Sequence, residues 1–234
     1  KQTFQIRNLE RLERIMLNIE ENHLIGELTL CDLPSLLFCG AQDGAVRKRV
    51  GVSSLRLKKL PMLQLFSIAD EIETQDVRMY RCPLLRAIPT LSLENDEEAC
   101  TVKISRVGAD EPLIVRGGAF ISELTVRRCS HLTRIDCAQA ERGPEKVTLE
   151  FLPRLIELEV PLLIDPDFVE EGKVFIKKCR RLAEVELGES HHTCELTDMD
   201  GLETVTFVSE SWNLDSLKIN GAAKLRHIKS TDHE

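Results

Sequence analysis

A twelve-residue spacing of apolar residues recurs along the whole chain and limits what it can fold into. Written φ-x-φ-x-x-φ-x-x-L-x-x-φ, it is plainest in LTVRRCSHLTRI, where Leu124, Val126, Cys129, Leu132 and Ile135 are the apolar sites. The same spacing starts at Phe4, Leu28, Leu55, Val77, Val102, Leu124, Val147, Val174, Cys194 and Leu217, ten copies at intervals of 20 to 27 residues. With Ala222 counted as apolar, only Asp110 breaks the set, and the fourth site is Leu in nine of ten copies. Self-similarity at this period predicts a repeat solenoid, because one copy cannot bury its apolar side alone and must stack on its neighbours.

Each copy carries its own internal plan. The opening φ-x-φ has the period of two that a half-buried strand requires. Pro34, Pro61, Pro83 and Pro153 follow directly on the third site. Proline there fixes φ and removes a donor, so the strand ends and the chain turns. The Leu three residues after the third site then points back into the core. Alternation resumes in Phe66-Ser67-Ile68, Ile135-Asp136-Cys137, Leu158-Glu159-Val160, Val185-Glu186-Leu187 and Val205-Thr206-Phe207, which predicts a second short strand on the opposite side. The linker 188–193 is too short and polar for a helix. The longer linkers 91–99 and 138–146 are charged and interrupted, and are expected to be loops with at most a turn of helix.

A coil of this length opening with L-x-L-x-x-[N/C] resembles the leucine-rich repeat family. The copy VRMYRCPLLRAI is similar to irregular repeats of plant immune receptors and of Cys-containing repeat proteins. The resumed alternation is similar to bacterial and protozoan surface-type repeats. The resemblance implies a right-handed coil with a parallel β-sheet on its concave side, short second strands or loops on its convex side, and little helix. It covers 1–234 as a single domain of about ten repeats. Because Phe4 already begins a copy, the chain is expected to be a fragment of a longer protein.

The chain departs from the family at two places. An apolar residue three positions ahead of the spacing is present only at Ile25, Val52, Ala99, Ile121 and Leu214. The family's Asn is replaced by Leu, Cys, Val, Met or Ala, so the turn N–H groups must bond to neighbouring coils or to water.

Aromatic residues make up only 4% of the chain, which leaves Leu, Ile and Val to fill the core. Of the eight Cys, Cys82, Cys129 and Cys179 fall on the third site, where a small apolar side chain is wanted. They read as reduced thiols of a cytoplasmic protein. Asn8, Asn18 and Asn213 lack the N-x-[ST] context, which agrees with an intracellular location. A secretory segment upstream would instead favour a surface protein and reopen the disulfide question. No apolar run approaches the roughly 18 residues that span a bilayer.

Function is expected on the exposed side of the first strands. Outward positions in the third to sixth copies are Arg56, Lys58, Lys59; Arg78, Tyr80, Arg81; Lys103, Ser105, Arg106; and Thr125, Arg127, Arg128. Nine of these twelve are basic in a chain of net charge −8, and Lys177, Lys178 and Lys218 extend the stripe. Acidic residues are expected chiefly in loops, at Glu71, Glu73, Glu94, Asp96, Glu97, Glu98, Glu141, Glu170 and Glu171, although Glu27, Asp76 and Glu123 dilute the stripe. Segregation by sign steers an oppositely charged partner.

The leading expectation is a protein–protein interaction module with no catalytic site and no cofactor. Its partner-binding residues are Arg56, Lys58, Arg78, Tyr80, Lys103, Arg127, Arg128 and Lys177, and its partner is acidic. A pI near 5.4 and few outward aromatics argue against nucleic acid. Two other readings stay open: a sensor or autoinhibitory segment of a larger switch protein, of immune-receptor or ubiquitin-ligase substrate-receptor type, and a spacer in a large assembly. No nucleotide-binding, nucleophile-elbow or metalloprotease motif occurs. His191, His192, Cys194, Asp198 and Asp200 form the one metal-like grouping, and it is read as a loop beside a core cysteine.

Overall fold

The computed structural model describes residues 2–17, 24–41, 47–93, 99–117, 121–140, 144–160, 172–187, 193–208 and 214–231. It is a parallel β-solenoid with no helix among the described residues. The first strand of every copy forms as the spacing predicts, from Gln2–Arg7 and Leu24–Cys31 through Arg47–Lys58, Asp76–Cys82, Cys100–Val107, Ile121–Arg127, Lys146–Glu150, Lys173–Lys177 and Thr193–Thr197 to Ser216–Asn220. Each pairs in parallel with the next, in a register that aligns equivalent sites: Val102 stands opposite both Val77 and Leu124, and Leu124 opposite Val147.

The turn after each first strand has a local cause. Leu36 N donates to Leu33 O, Leu63 N to Leu60 O, Leu85 N to Cys82 O and Leu155 N to Leu152 O, at 3.2–3.3 Å. Each is a four-residue turn with proline at its second place, where a fixed φ near −65° is already the right one. The fourth-site Leu closes the turn and is fully buried, as at Leu63, Leu85 and Leu155.

Second strands form at Arg14–Leu17, Phe38–Ala41, Leu65–Ser67, Arg134–Ala140, Glu157–Glu159, Glu184–Leu187, Thr204–Val208 and His227–Thr231. The segments expected to be loops carry more strand than that. Ala69–Glu73 and Thr90–Ser92 are strands too, and Arg134–Ala140 runs three residues into the linker 138–146; Leu113–Gly117, at the fifth site of its copy, is a further second-side strand. The long strand Arg47–Lys58 joins the two sides, pairing with Ala69–Glu73 through its first half and with Asp76–Cys82 through its second. That strand joins five second-side strands to the first-strand side in one 15-stranded sheet; Arg14–Leu17, Phe38–Ala41 and Leu65–Ser67 form a separate three-stranded sheet, and Glu184–Leu187, Thr204–Val208 and His227–Thr231 another. The core between the two sides is a column of aliphatic side chains and thiols, Leu132 and Cys129 each 1% exposed. A coil buries its apolar residues only against neighbours on both sides, so Phe4, Leu9 and Met16 in the first coil and Ile228 in the last stay largely exposed.

The fifth copy solves its irregular site differently. Asp110 is exposed and Ala109, one residue earlier, is buried in its place. Gly108 makes this possible, because a Cβ there would fall 1.9 Å from the Pro83 carbonyl oxygen.

Candidate partner-binding surface

Parallel register turns each outward position of the first strand into a row running from coil to coil. One row passes through Thr29, Arg56, Arg78, Lys103 and Thr125 to Thr148 and Phe175. A second passes through Cys31, Lys58, Tyr80, Ser105 and Arg127 to Glu150 and Lys177. A third, ahead of both, passes through Glu27, Ser54, Asp76, Thr101, Glu123 and Lys146. Seven of the expected partner-binding residues therefore share one sheet face; Arg128 lies on the turn beside it.

Several of those residues are already engaged. Arg56 reaches Asp76 at 3.3 Å and Glu27 at 3.6 Å, and Arg78 Nε donates to Asp76 Oδ1 at 2.8 Å. Lys103 lies 2.7 Å from Glu123, and Arg127 lies 3.5 Å from Glu150. The pairs are half-exposed, so each contributes between zero and about 1 kcal/mol. Bonds from Thr29 and then Gln5 hold the Glu27 carboxyl below its ordinary range. Burial alone would raise Glu123, but the bonds from Lys103 and Thr125 outweigh it and leave that carboxyl lowered. Lys58 and Lys177 stay exposed, with no carboxylate partner among the described residues.

The opposite side carries the other sign. Arg134 collects three carboxylates, Asp136 at 3.1 Å, Glu157 at 3.2 Å and Glu159 at 3.0 Å. Glu71 and Glu73, expected in a loop, sit on the strand Ala69–Glu73 beside Arg49. The other acidic residues expected in loops, Glu94, Asp96, Glu97, Glu98, Glu141, Glu170 and Glu171, lie outside the described residues.

A feature the spacing did not reveal runs along the edge of the face. The residue before the third site has positive φ in every coil: Asn8, Asp32, Lys59, Arg81, Arg106, Arg128, Phe151, Lys178 and Asp198 at 54–57°, and Gly221 at 65°. This left-handed turn lets the N–H point at the following coil. Lys59 N donates to Tyr80 O, Arg128 N to Glu150 O, Phe151 N to Lys177 O and Lys178 N to Thr197 O, at 2.8–3.0 Å. The turn donors are thus satisfied by neighbouring coils, in place of an Asn ladder. Asn, Asp and Gly adopt this conformation readily, whereas other residues pay roughly 1–2 kcal/mol. The signal lay in the outermost copies, where Asn8, Asp32, Asp198 and Gly221 occupy the position; Arg and Lys in the inner copies conceal it.

The turn row has its own contacts. Arg81 stacks over the Tyr80 ring at 5.0 Å and Arg106 approaches the same ring at 6.0 Å. Phe151 is flanked by Arg128 from the coil before, at 5.5 Å, and Lys178 from the coil after, at 4.4 Å. Lys59 pairs with Asp32 at 2.8 Å. An open depression of about 400 Å³ lies between Pro61 and Pro83, rimmed by Lys59, Arg81 and Arg106. A second, of about 360 Å³, lies on the sheet face around Phe175, with Arg127 and Lys177 at its edge.

All eight cysteines are free thiols. Burial pushes Cys39, Cys82, Cys137, Cys179 and Cys194 up to about 12, and Cys129 to about 11. Of the metal-like grouping, His191 and His192 lie outside the described residues and Cys194 is buried in the core. No group of three His, Cys, Asp or Glu among the described residues is placed to hold a metal ion. No helix among them is long and apolar enough to cross a membrane.

Comparison with protein-family models, curated proteins and solved structures gives no significant match to this chain. The surface must therefore be interpreted from its own chemistry.

Proposed function

We propose that this chain is a leucine-rich-repeat-type interaction module that binds an acidic protein partner through the exposed side of its first-strand sheet. The observation that carries the reading is the imbalance of sign on that side. From the second coil to the eighth, the three rows hold Arg56, Lys58, Arg78, Lys103, Arg127, Lys146, Lys173 and Lys177 against Glu27, Asp76, Glu123 and Glu150. Over the same coils the second-strand side holds Asp70, Glu71, Glu73, Asp136, Glu157, Glu159, Glu184 and Glu186 against Arg47, Lys48, Arg49, Arg116 and Arg134, so its balance is of the other sign but smaller. A molecule of net charge −8 with cations gathered on one face orients that face toward an acidic partner. The family assignment rests on the strand-and-turn spacing of the copies. The intracellular location rests on eight unpaired thiols, because oxidising compartments favour disulfides.

The ion pairs decide which residues should test the reading. Reversing Arg78 or Arg127 would set two carboxylates against each other and damage the sheet as well as the surface. Lys58 and Lys177 are exposed and form no close ion pair with a described carboxylate. In the variant Lys58→Glu with Lys177→Glu, acidic proteins captured by the parent from a lysate should be lost at an unchanged melting temperature. Undiminished capture would refute the face as the binding surface.

A further inference from the structure

We infer that the left-handed turn row of the third to eighth coils is a docking rail for an extended acidic peptide. This deepens the proposed binding of an acidic protein, and rests on it, by moving the principal contact from the sheet face to its edge.

The argument begins with residue choice at a costly backbone position. In the first, second, ninth and tenth coils the position holds Asn8, Asp32, Asp198 and Gly221, the residue types that adopt positive φ most readily. In the six coils between, it holds Lys59, Arg81, Arg106, Arg128, Phe151 and Lys178. The inner run thus replaces every favourable residue by an unfavourable one, and five of the six are cations. Stability does not account for this choice, since like charges on neighbouring coils repel. Strained backbone held in place by its surroundings points to function.

The electrostatics of the row agree. On the sheet face Arg56, Arg78, Lys103 and Arg127 each meet a carboxylate, whereas among the described residues Lys59 alone does so on the turn row. Arg81, Arg106, Arg128 and Lys178 contact aromatic rings instead, which orders them without cancelling their charge. Four cations without a described carboxylate partner therefore follow one another along the turn row, whereas on the sheet face Lys58 and Lys177 stand apart.

Dimensions and chemistry select the occupant. Coils repeat at about 4.8 Å, so six span about 24 Å, the length of roughly seven residues of extended chain. The depression between Pro61 and Pro83 offers an apolar floor beneath the Lys59, Arg81 and Arg106 cations, suited to an aliphatic side chain flanked by acidic ones. Nucleic acid fits less well. Phe151 carries cations from both neighbouring coils and Tyr80 carries two guanidinium groups, which occupies the rings that bases would stack on.

The test uses the whole chain and a fluorescein-labelled peptide of about ten residues in which Glu alternates with Val. Comparators are the same peptide with Gln for Glu and a single-stranded oligothymidine of equal charge. Asn favours positive φ, so Arg81→Asn with Arg128→Asn removes two rail cations while relieving the backbone. By fluorescence anisotropy this variant should bind the acidic peptide at least about tenfold more weakly than the parent, at a melting temperature no lower. The face variant Lys58→Gln with Lys177→Gln should lose less. A rail variant that binds like the parent while the face variant fails would overturn the rail and leave the sheet-face reading standing. Equal binding by all three proteins would overturn both. A parent that ignores the acidic peptide, takes the Gln peptide equally well or prefers the oligonucleotide would overturn the occupant.

Discussion

The Lys103 ammonium meets the Glu123 carboxylate at 2.7 Å across two adjacent coils, and Thr125 bonds the same carboxylate from within its own strand. Burial pulls the Glu123 carboxyl upward, but these bonds prevail and hold it below its ordinary 4.5. A lowered carboxyl stabilises the fold above the unfolded-state pKa, and that contribution fades as pH falls through the folded one. Glu123→Gln should thus cost about 0.5 kcal/mol near neutrality. In urea titrations the gap from the parent should shrink below about pH 4.5. A gap that widens in acid would contradict the assigned direction.

Arg106 sits at φ 56° and touches the Tyr80 ring only at 6.0 Å. Arg106→Asn should raise stability by about 0.5–1 kcal/mol, since relief of the turn exceeds the weak ring contact. A fall in melting temperature would show that the position tolerates Arg without strain.

At Gly108 the obstruction is main chain, the Pro83 carbonyl, which cannot swing aside as a side chain would. Gly108→Ala should cost about 1–3 kcal/mol by overpacking. Gly108→Ser should be no better, and a neutral result for either would mean that the fifth turn can reopen.

The thiols give a chemical test of the core. Burial and the neighbouring Asp32 carboxylate raise even the partly exposed Cys31, and the Cys39 thiol is pushed up to about 12 by burial alone. A thiol-reactive dye at neutral pH should label the native chain slowly and release its full signal, for eight cysteines, only in guanidinium. Rapid native labelling of several thiols would mean that the coils open.

Leu132 illustrates what could be read directly from the chain. Its place in the spacing marked it as core, it is 1% exposed, and Leu132→Ala should cost about 2–5 kcal/mol by chemical denaturation. Period and proline placement sufficed there because both act within one coil. What escaped depends on neighbours. The strand Ala69–Glu73 looks like a charged loop because Glu71 and Glu73 flank Ile72, yet Arg49 from the preceding coil pairs with both carboxylates. In the same way the basic stripe and its dilution by Asp76 and Glu123 were legible in the chain, while the pairing of those carboxylates with Arg56, Arg78 and Lys103 comes from register. The left-handed turn row was hidden because Arg81 and Lys178 carry no signature of positive φ; only alignment with Asn8, Asp32, Asp198 and Gly221 would have exposed it.

The direction of the turn hydrogen bonds gives the molecule a polarity that hydrogen exchange can measure. Asn8 N donates to Cys31 O, Asp32 N to Lys58 O and Asp198 N to Asn220 O, always from one coil to the next. Deuterium uptake at each of these amides is therefore gated by the coil that follows it. Fraying of the tenth coil should register first at Asp198, while detachment of the first coil should leave the Asp32 amide protected. A ladder of seven such donors among the described residues makes each of these coils the clock for the one before it.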